Sequence, residues 1–226
     1  MKSENFELFL QKYGQRYSTL LGIDVAGGDD DEIFKWFLAA LLFGAPISES
    51  SAIRTYRLFA EKNVVTPERL RETGWESLVR ILDEGGYTRY DYKTATKLLE
   101  AARNLEERHA DSLNDLCRSA SGPRDLEARL KSLAKGIGDV TASIFLRELR
   151  DVWEKADPKP TDRVILAAKR LRIVGDRVSP ETALQQMKSF WQGNRVSGKS
   201  FVDFEAALLR LGRKYAAKRK KRRRPS

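Results

Sequence analysis

The sequence predicts an all-α protein. Apolar residues recur at helical spacing along almost the whole chain, turn residues are sparse, and no stretch alternates convincingly as a strand. With 226 residues, 41% of them hydrophobic and 33% charged, the chain can bury a sizeable core, either as one domain or as two small helical lobes.

Taken in order, residues 3 to 21 should form a helix with Phe6, Leu8, Phe9, Tyr13 and Tyr17 on a broad apolar face. Gly27-Gly28 and the three aspartates after them break and cap. The segment from about Asp31 to Phe43 is apolar nearly all round, which places it at the centre of a lobe, and Gly44-Ala45-Pro46 ends it. Ser48 opens a helix to about Glu61, Thr66-Pro67-Glu68 a short one, and Trp75 to Leu82 another. Gly85-Gly86 precede Tyr87-Thr88-Arg89-Tyr90-Asp91-Tyr92 and a long helix to about Glu107. Asp111-Ser112 can cap a short helix, and Gly122-Pro123 opens one whose Leu126, Leu130 and Leu133 share a face. Ile144, Phe145, Leu149 and Val152 continue an apolar stripe on the next. Past Asp157-Pro158-Lys159-Pro160, a helix opened by Thr161 and Asp162 reaches about Leu171. Another runs from Ser179-Pro180-Glu181 to about Trp191, and the last, Phe201 to about Ala217, turns Phe204, Ala207, Leu208 and Leu211 inward.

Charge is unevenly placed. The net charge is +10, and the tail Lys218-Arg219-Lys220-Lys221-Arg222-Arg223-Arg224 accounts for most of it. Residues 218–226 are therefore expected to be a disordered basic tail, attracting polyanions by counterion release or serving only as a solvated end. No apolar run is long enough to span a bilayer, and the first residues lack a secretory pattern, so a cytoplasmic or nuclear protein is expected. One cysteine, Cys117, and one histidine, His109, leave no internal disulfide, four-cysteine cluster, zinc set or Cys-His nucleophile. No Walker pattern points to an NTPase.

The stretch with chemical content is Leu133-Ala134-Lys135-Gly136-Ile137-Gly138-Asp139-Val140-Thr141-Ala142. Two glycines bracketing one apolar residue between amphipathic segments fit a tight turn between helices. The start of the second helix then offers unpaired N–H groups and the positive end of a helix dipole, a site suited to a nucleic-acid phosphate.

These residues, with Asp162 at the opening of the following helix, resemble the helix-hairpin-helix DNA glycosylases, the superfamily of endonuclease III. That pattern reads Leu-Pro-Gly-hydrophobic-Gly, two variable residues, Thr-Ala, a helix, then an aspartate. Here Lys135 stands in the proline's place. The order of elements over roughly residues 30 to 171 also resembles the family. The resemblance implies a two-lobed helical bundle with a cleft between lobes, divided as 30–133 and as 1–29 plus 134–217. It implies base excision repair: a monomer binding double-stranded DNA, nucleoid-associated in the cytoplasm or nuclear in a eukaryote, that flips a damaged base out and hydrolyses its N-glycosidic bond.

On the residues matching the motif, Lys135, Gly136, Ile137, Gly138 and Thr141 would contact DNA, and Asp162 would stabilise the oxocarbenium-like cation and orient or deprotonate water. Its plain alternative is a helix cap, which would leave a non-catalytic DNA-binding protein. The loop carrying Pro46 and Ile47 stands where the family places a wedge, or is a simple helix connection. Trp36, Phe43, Tyr87 and Tyr90 could line a base pocket or could be core. Val140 occupies the position of the lysine that makes bifunctional members lyases, so a monofunctional enzyme is expected, with Lys135 as the remaining nearby amine. No cofactor is required, although potassium or sodium at the hairpin carbonyls is implied. Alanine stands where the iron-sulfur branch has its first cysteine, and no cysteine follows, so no cluster is expected.

Overall fold

The computed structural model describes residues 3–222, and every regular element among them is a helix. In order these are α1 (Ser3–Tyr13), α2 (Tyr17–Leu20), α3 (Asp30–Phe43), α4 (Glu49–Glu61), α5 (Pro67–Gly85), α6 (Asp91–His109), α7 (Leu113–Ser119), α8 (Pro123–Ser132), α9 (Asp139–Glu148), α10 (Asp162–Arg170), α11 (Pro180–Gly193) and α12 (Phe201–Arg222). No helix among the described residues is long and apolar enough to cross a membrane. Contacts divide the chain into two compact units, Leu21–Pro158 and the remainder at both ends.

In the Leu21–Pro158 unit, α3 starts where Asp29 accepts from the N–H groups of Asp31 and Glu32, and three acids fill its first turn. From Ile33 to Leu42 every residue but Lys35 is buried, so α3 is the core of this unit. Helix α9 packs on it: Trp36 Nε1 donates to the Phe145 carbonyl at 3.0 Å, and the Phe37 and Phe145 rings meet edge-on at 5.2 Å. At the other end of α3, Asp30 accepts from Ser112 Oγ and the Asn114 N–H, which anchors the start of α7. Left-handed Gly74 (φ 72°) breaks α5 in two, matching the pair of helices expected there.

In the unit formed by the chain ends, Phe6 meets Phe204 and Phe190 edge-on, each at 5.4 Å, and Trp191 stacks on Phe204 at 6.0 Å. Arg16 joins this core to α12 through Asp203 and Ser200. Helices α10 and α12 touch at backbone distance, for a Cβ on Gly212 would lie 1.9 Å from the Arg163 carbonyl oxygen.

Three expectations change. The N-terminal helix is interrupted at Gly14, where a Cβ would sit 2.5 Å from the Leu10 carbonyl and 3.2 Å from that of Asp203, so the chain turns where α12 begins close by; Leu8 faces solvent. Helix α12 continues to Arg222, since Lys and Arg are good helix formers and cations suit a helix C-terminus; the 218–222 part of the expected tail is helical, and 223–226 lie outside the described residues. The hairpin segment 134–142 falls in the unit of the central helices because α9 packs on α3, whereas the sequence grouping had put it with the chain ends. Residues 21–29 join the same unit, where Asn114 donates to the Gly28 carbonyl.

Gly212→Ala is expected to destabilise the protein by about 1–3 kcal/mol through overpacking against α10. Gly193→Ala, with open space around the new methyl, should stay within about 1 kcal/mol of the parent on the favourable side, as glycine is the weaker helix former. Urea melts of the two variants make the comparison.

Candidate functional site

Of the hairpin's two glycines only Gly136 (φ 91°) has a positive φ; Gly138 is extended (φ −111°, ψ −173°) and serves as the N-cap of α9. With no side chain, Gly138 cannot cap, so the first N–H groups of α9 have no side-chain acceptor. Ile137 is buried between the exposed glycines and closes the turn by donating to the Ala134 carbonyl. Asp139, the one acid at this helix start, is ion-paired with Lys131 of α8, whose hydrogen bond holds its carboxyl below the usual range. The pair neutralises a charge that would repel a phosphate.

Helix α6 holds the turn in place. Asn104 Nδ2 donates to the Leu133 carbonyl at 2.9 Å, and Glu100 accepts the Lys135 N–H at 3.2 Å. Lys97 lies one turn earlier on that face: a Cβ on Gly136 would be 3.2 Å from its Cε and 3.6 Å from its Nζ. Burial lowers the Lys97 amine from its ordinary value. None of these α6 residues had been singled out from sequence. Their polar spacing along one helix face was visible, but its target beyond α7 and α8 was not.

Thr141 is buried, and a Cβ on Gly44 would be 2.2 Å from its Oγ1, so the 44–48 loop meets the hairpin's second helix at backbone distance. On that loop Pro46 is exposed and Ile47 half-buried. Phe43 and Tyr90 are also half-buried. Trp36 and Tyr87 are corrected to core residues: each is 0% exposed, and the Tyr87 hydroxyl donates to the Leu42 carbonyl as Trp36 does to Phe145. Neither can stack on an entering base without opening the core.

Asp162 belongs to the other unit. It is the first residue of α10, with Thr161 as N-cap, and Thr161 makes no side-chain cap bond: its Oγ1 is buried without a hydrogen-bond partner. Asp162 itself is exposed, and its carboxylate takes part in no hydrogen bond or ion pair among the described residues. Val164, Ile165, Ala167 and Ala168 bury the opposite face of α10, fixing the helix that carries it. Val140, in the first turn of α9, is 61% exposed. Among the described residues no group of three or more His, Cys, Asp or Glu could hold a metal ion.

No family model and no curated protein sequence matches the chain. Among solved structures it is similar to the crystal structure of the 8-oxoguanine DNA glycosylase of Thermotoga maritima, with a TM-score of 0.55 and 18% identity over 92% of this chain and 90% of that one. The chain has a DNA-glycosylase fold. At that identity the likeness speaks for the path of the backbone and leaves the chemistry to the residues.

Gly136→Ala should cost about 1–2 kcal/mol of stability, because an L side chain is strained at its φ. Gly138→Ala, extended and unobstructed, should cost clearly less. Equal losses in paired denaturant titrations would contradict the geometry given for this turn.

Proposed function

We propose that this protein is a monofunctional DNA glycosylase of base excision repair, which binds double-stranded DNA through the 133–142 hairpin and hydrolyses the N-glycosidic bond of an extruded base with Asp162. The observation that most supports it is the Asp162 carboxylate: exposed at the positive end of α10 and engaged by no other group among the described residues, in a chain with a glycosylase fold. Thr161, and not Asp162, occupies the N-cap position of α10, so capping does not account for this carboxylate.

In this reading the hairpin amides and Lys135 hold the sugar-phosphate chain, and Pro46 or Ile47 fills the gap left by the flipped nucleotide. Phe43 and Tyr90 are the remaining candidates to stack on the base. As the base departs with the bonding electrons and takes up a proton, positive charge grows on the sugar; Asp162 stabilises it and accepts the proton of the water that attacks C1′. Val140 cannot form a Schiff base, so the product is an intact strand with an abasic site. A monovalent cation would be held by hairpin carbonyl oxygens. Those of Ala134 and Gly138 already accept one backbone N–H each and retain a second lone pair, and no step depends on the ion.

The similar Thermotoga maritima protein is an 8-oxoguanine DNA glycosylase, which makes 8-oxoguanine the first lesion to test, with uracil and alkylated purines beside it. Duplexes carrying each lesion are incubated with protein and then cleaved at abasic sites by alkali. Base release should fall about 100-fold or more in Asp162→Asn while duplex binding persists. Binding with no release by the parent on any lesion would instead identify a non-catalytic hairpin protein.

Val140→Lys adds an amine where the side chain is open to solvent and should fold normally. It is expected to give a borohydride-trappable covalent complex with abasic DNA that the parent does not give.

A further inference from the structure

A recess of about 580 Å³ adjoins the hairpin turn, lined by Tyr92, Lys93, Lys97 and Glu100 of α6 together with Lys135 and Gly136. Its charge is lopsided. Three lysines face one acid, and Glu100 is engaged by the Lys135 N–H. The Lys97 amine, partly desolvated, has no ion-pair partner among the described residues.

Beside the recess stands an exposed aromatic pair. The Trp75 and Tyr92 rings are 5.4 Å apart and tilted by 31°, with 41% and 61% of the two residues exposed. They are held rather than loose: Trp75 Nε1 donates to Thr96 Oγ1 at 3.0 Å, and Thr96 Oγ1 donates to the Tyr92 carbonyl at 2.9 Å. The break at Gly74 lets a new helical segment begin at Trp75. Two large rings fixed side by side in water forgo the burial that normally stabilises such side chains. Next to a cationic recess they match a ligand that carries a flat π-face and an anion within one unit.

We propose that the recess and the Trp75–Tyr92 pair form a site for an unpaired nucleotide of a DNA strand, its base stacked on the aromatic pair and its phosphate held by Lys93, Lys97 and Lys135. A paired base inside a duplex has both faces covered by its neighbours, so only an unpaired one can stack on these rings. The three lysines and the Gly136 turn favour a nucleic-acid strand over an apolar protein surface. The inference rests on reading the hairpin as a DNA grip, and is independent of Asp162.

Three probes of equal sequence test it by fluorescence anisotropy: a fully paired duplex, the duplex with one extra thymidine nucleotide, and the duplex with an abasic tetrahydrofuran residue in place of that thymidine. The parent should bind the thymidine bulge best, and Trp75→Ala/Tyr92→Ala should remove that preference, about tenfold or more, with paired-duplex affinity unchanged. Tyr92→Phe, which keeps the ring, should retain it. Lys97→Met should weaken the bulged and abasic probes alike and flatten their salt dependence. Equal affinity of the parent for bulge and abasic probes, persistence of the preference in the double variant, or displacement of the bulge by free thymidine monophosphate as effective as by the oligonucleotide would each overturn the proposal. A parent that binds no probe would overturn the hairpin reading itself, and base release in the Asp162 assay is scored separately.

Discussion

A helix that is apolar on nearly all sides has to be surrounded at close range, and this requirement on α3 shapes everything around the hairpin. Its surface is covered from the α9 side by Phe145, through both ring contact and the Trp36 hydrogen bond. At its C-terminal end there is no room for a Cβ between Gly44 and Thr141. The glycine that ends α3 is therefore also the point at which the 44–48 loop meets the hairpin's second helix. One packing constraint thus fixes two surfaces that a DNA-binding reading needs.

The hairpin is built mainly of backbone. Gly136 supplies the left-handed turn, Ile137 anchors it, and Gly138 starts α9 without a capping side chain. In the proposed reading such a site would hold phosphate irrespective of sequence, since amides and a helix dipole read charge and not base identity. Side chains adjust its charge. Lys131 offsets Asp139, and Lys97 and Lys135 add cations beside the turn while Glu100 and Asn104 hold its backbone. In the proposed reading, the identity of a lesion would have to come from elsewhere, from residues that touch the base.

Much of the fold was legible because its punctuation is local. Ser48, Ser112 and Ser179 each cap the helix they were expected to open, accepting an N–H three residues on, and Pro67, Pro123 and Pro180 sit in the first turns where proline is tolerated. What sequence could not supply were facts about partners distant in the chain. Gly14 interrupts the first helix because of how the start of α12 approaches it, and nothing near residue 14 reports that. Trp36 and Tyr87 read from sequence sooner as core than as pocket, and the Phe145 and Leu42 carbonyls that take their polar hydrogens bear out the core reading. The roles of Glu100 and Asn104 on α6 depend on backbone groups about thirty residues further on, which local spacing does not report. Asp162 was ambiguous for a related reason: composition marks a helix start, but only coordinates reveal whether the acid is used there.

The contrast between Val140 and Asp162 carries the chemical reading further than fold similarity can. Val140 is exposed, so no packing demand explains a valine there, and the same backbone could present a lysine amine. Asp162 is exposed as well, yet a charged group at that position is favoured by the helix end and left uncommitted by its neighbours. In the reading proposed above, the Asp162 carboxylate would stabilise a departing glycosyl cation, and the Val140 isopropyl group could not capture the sugar covalently as an amine would.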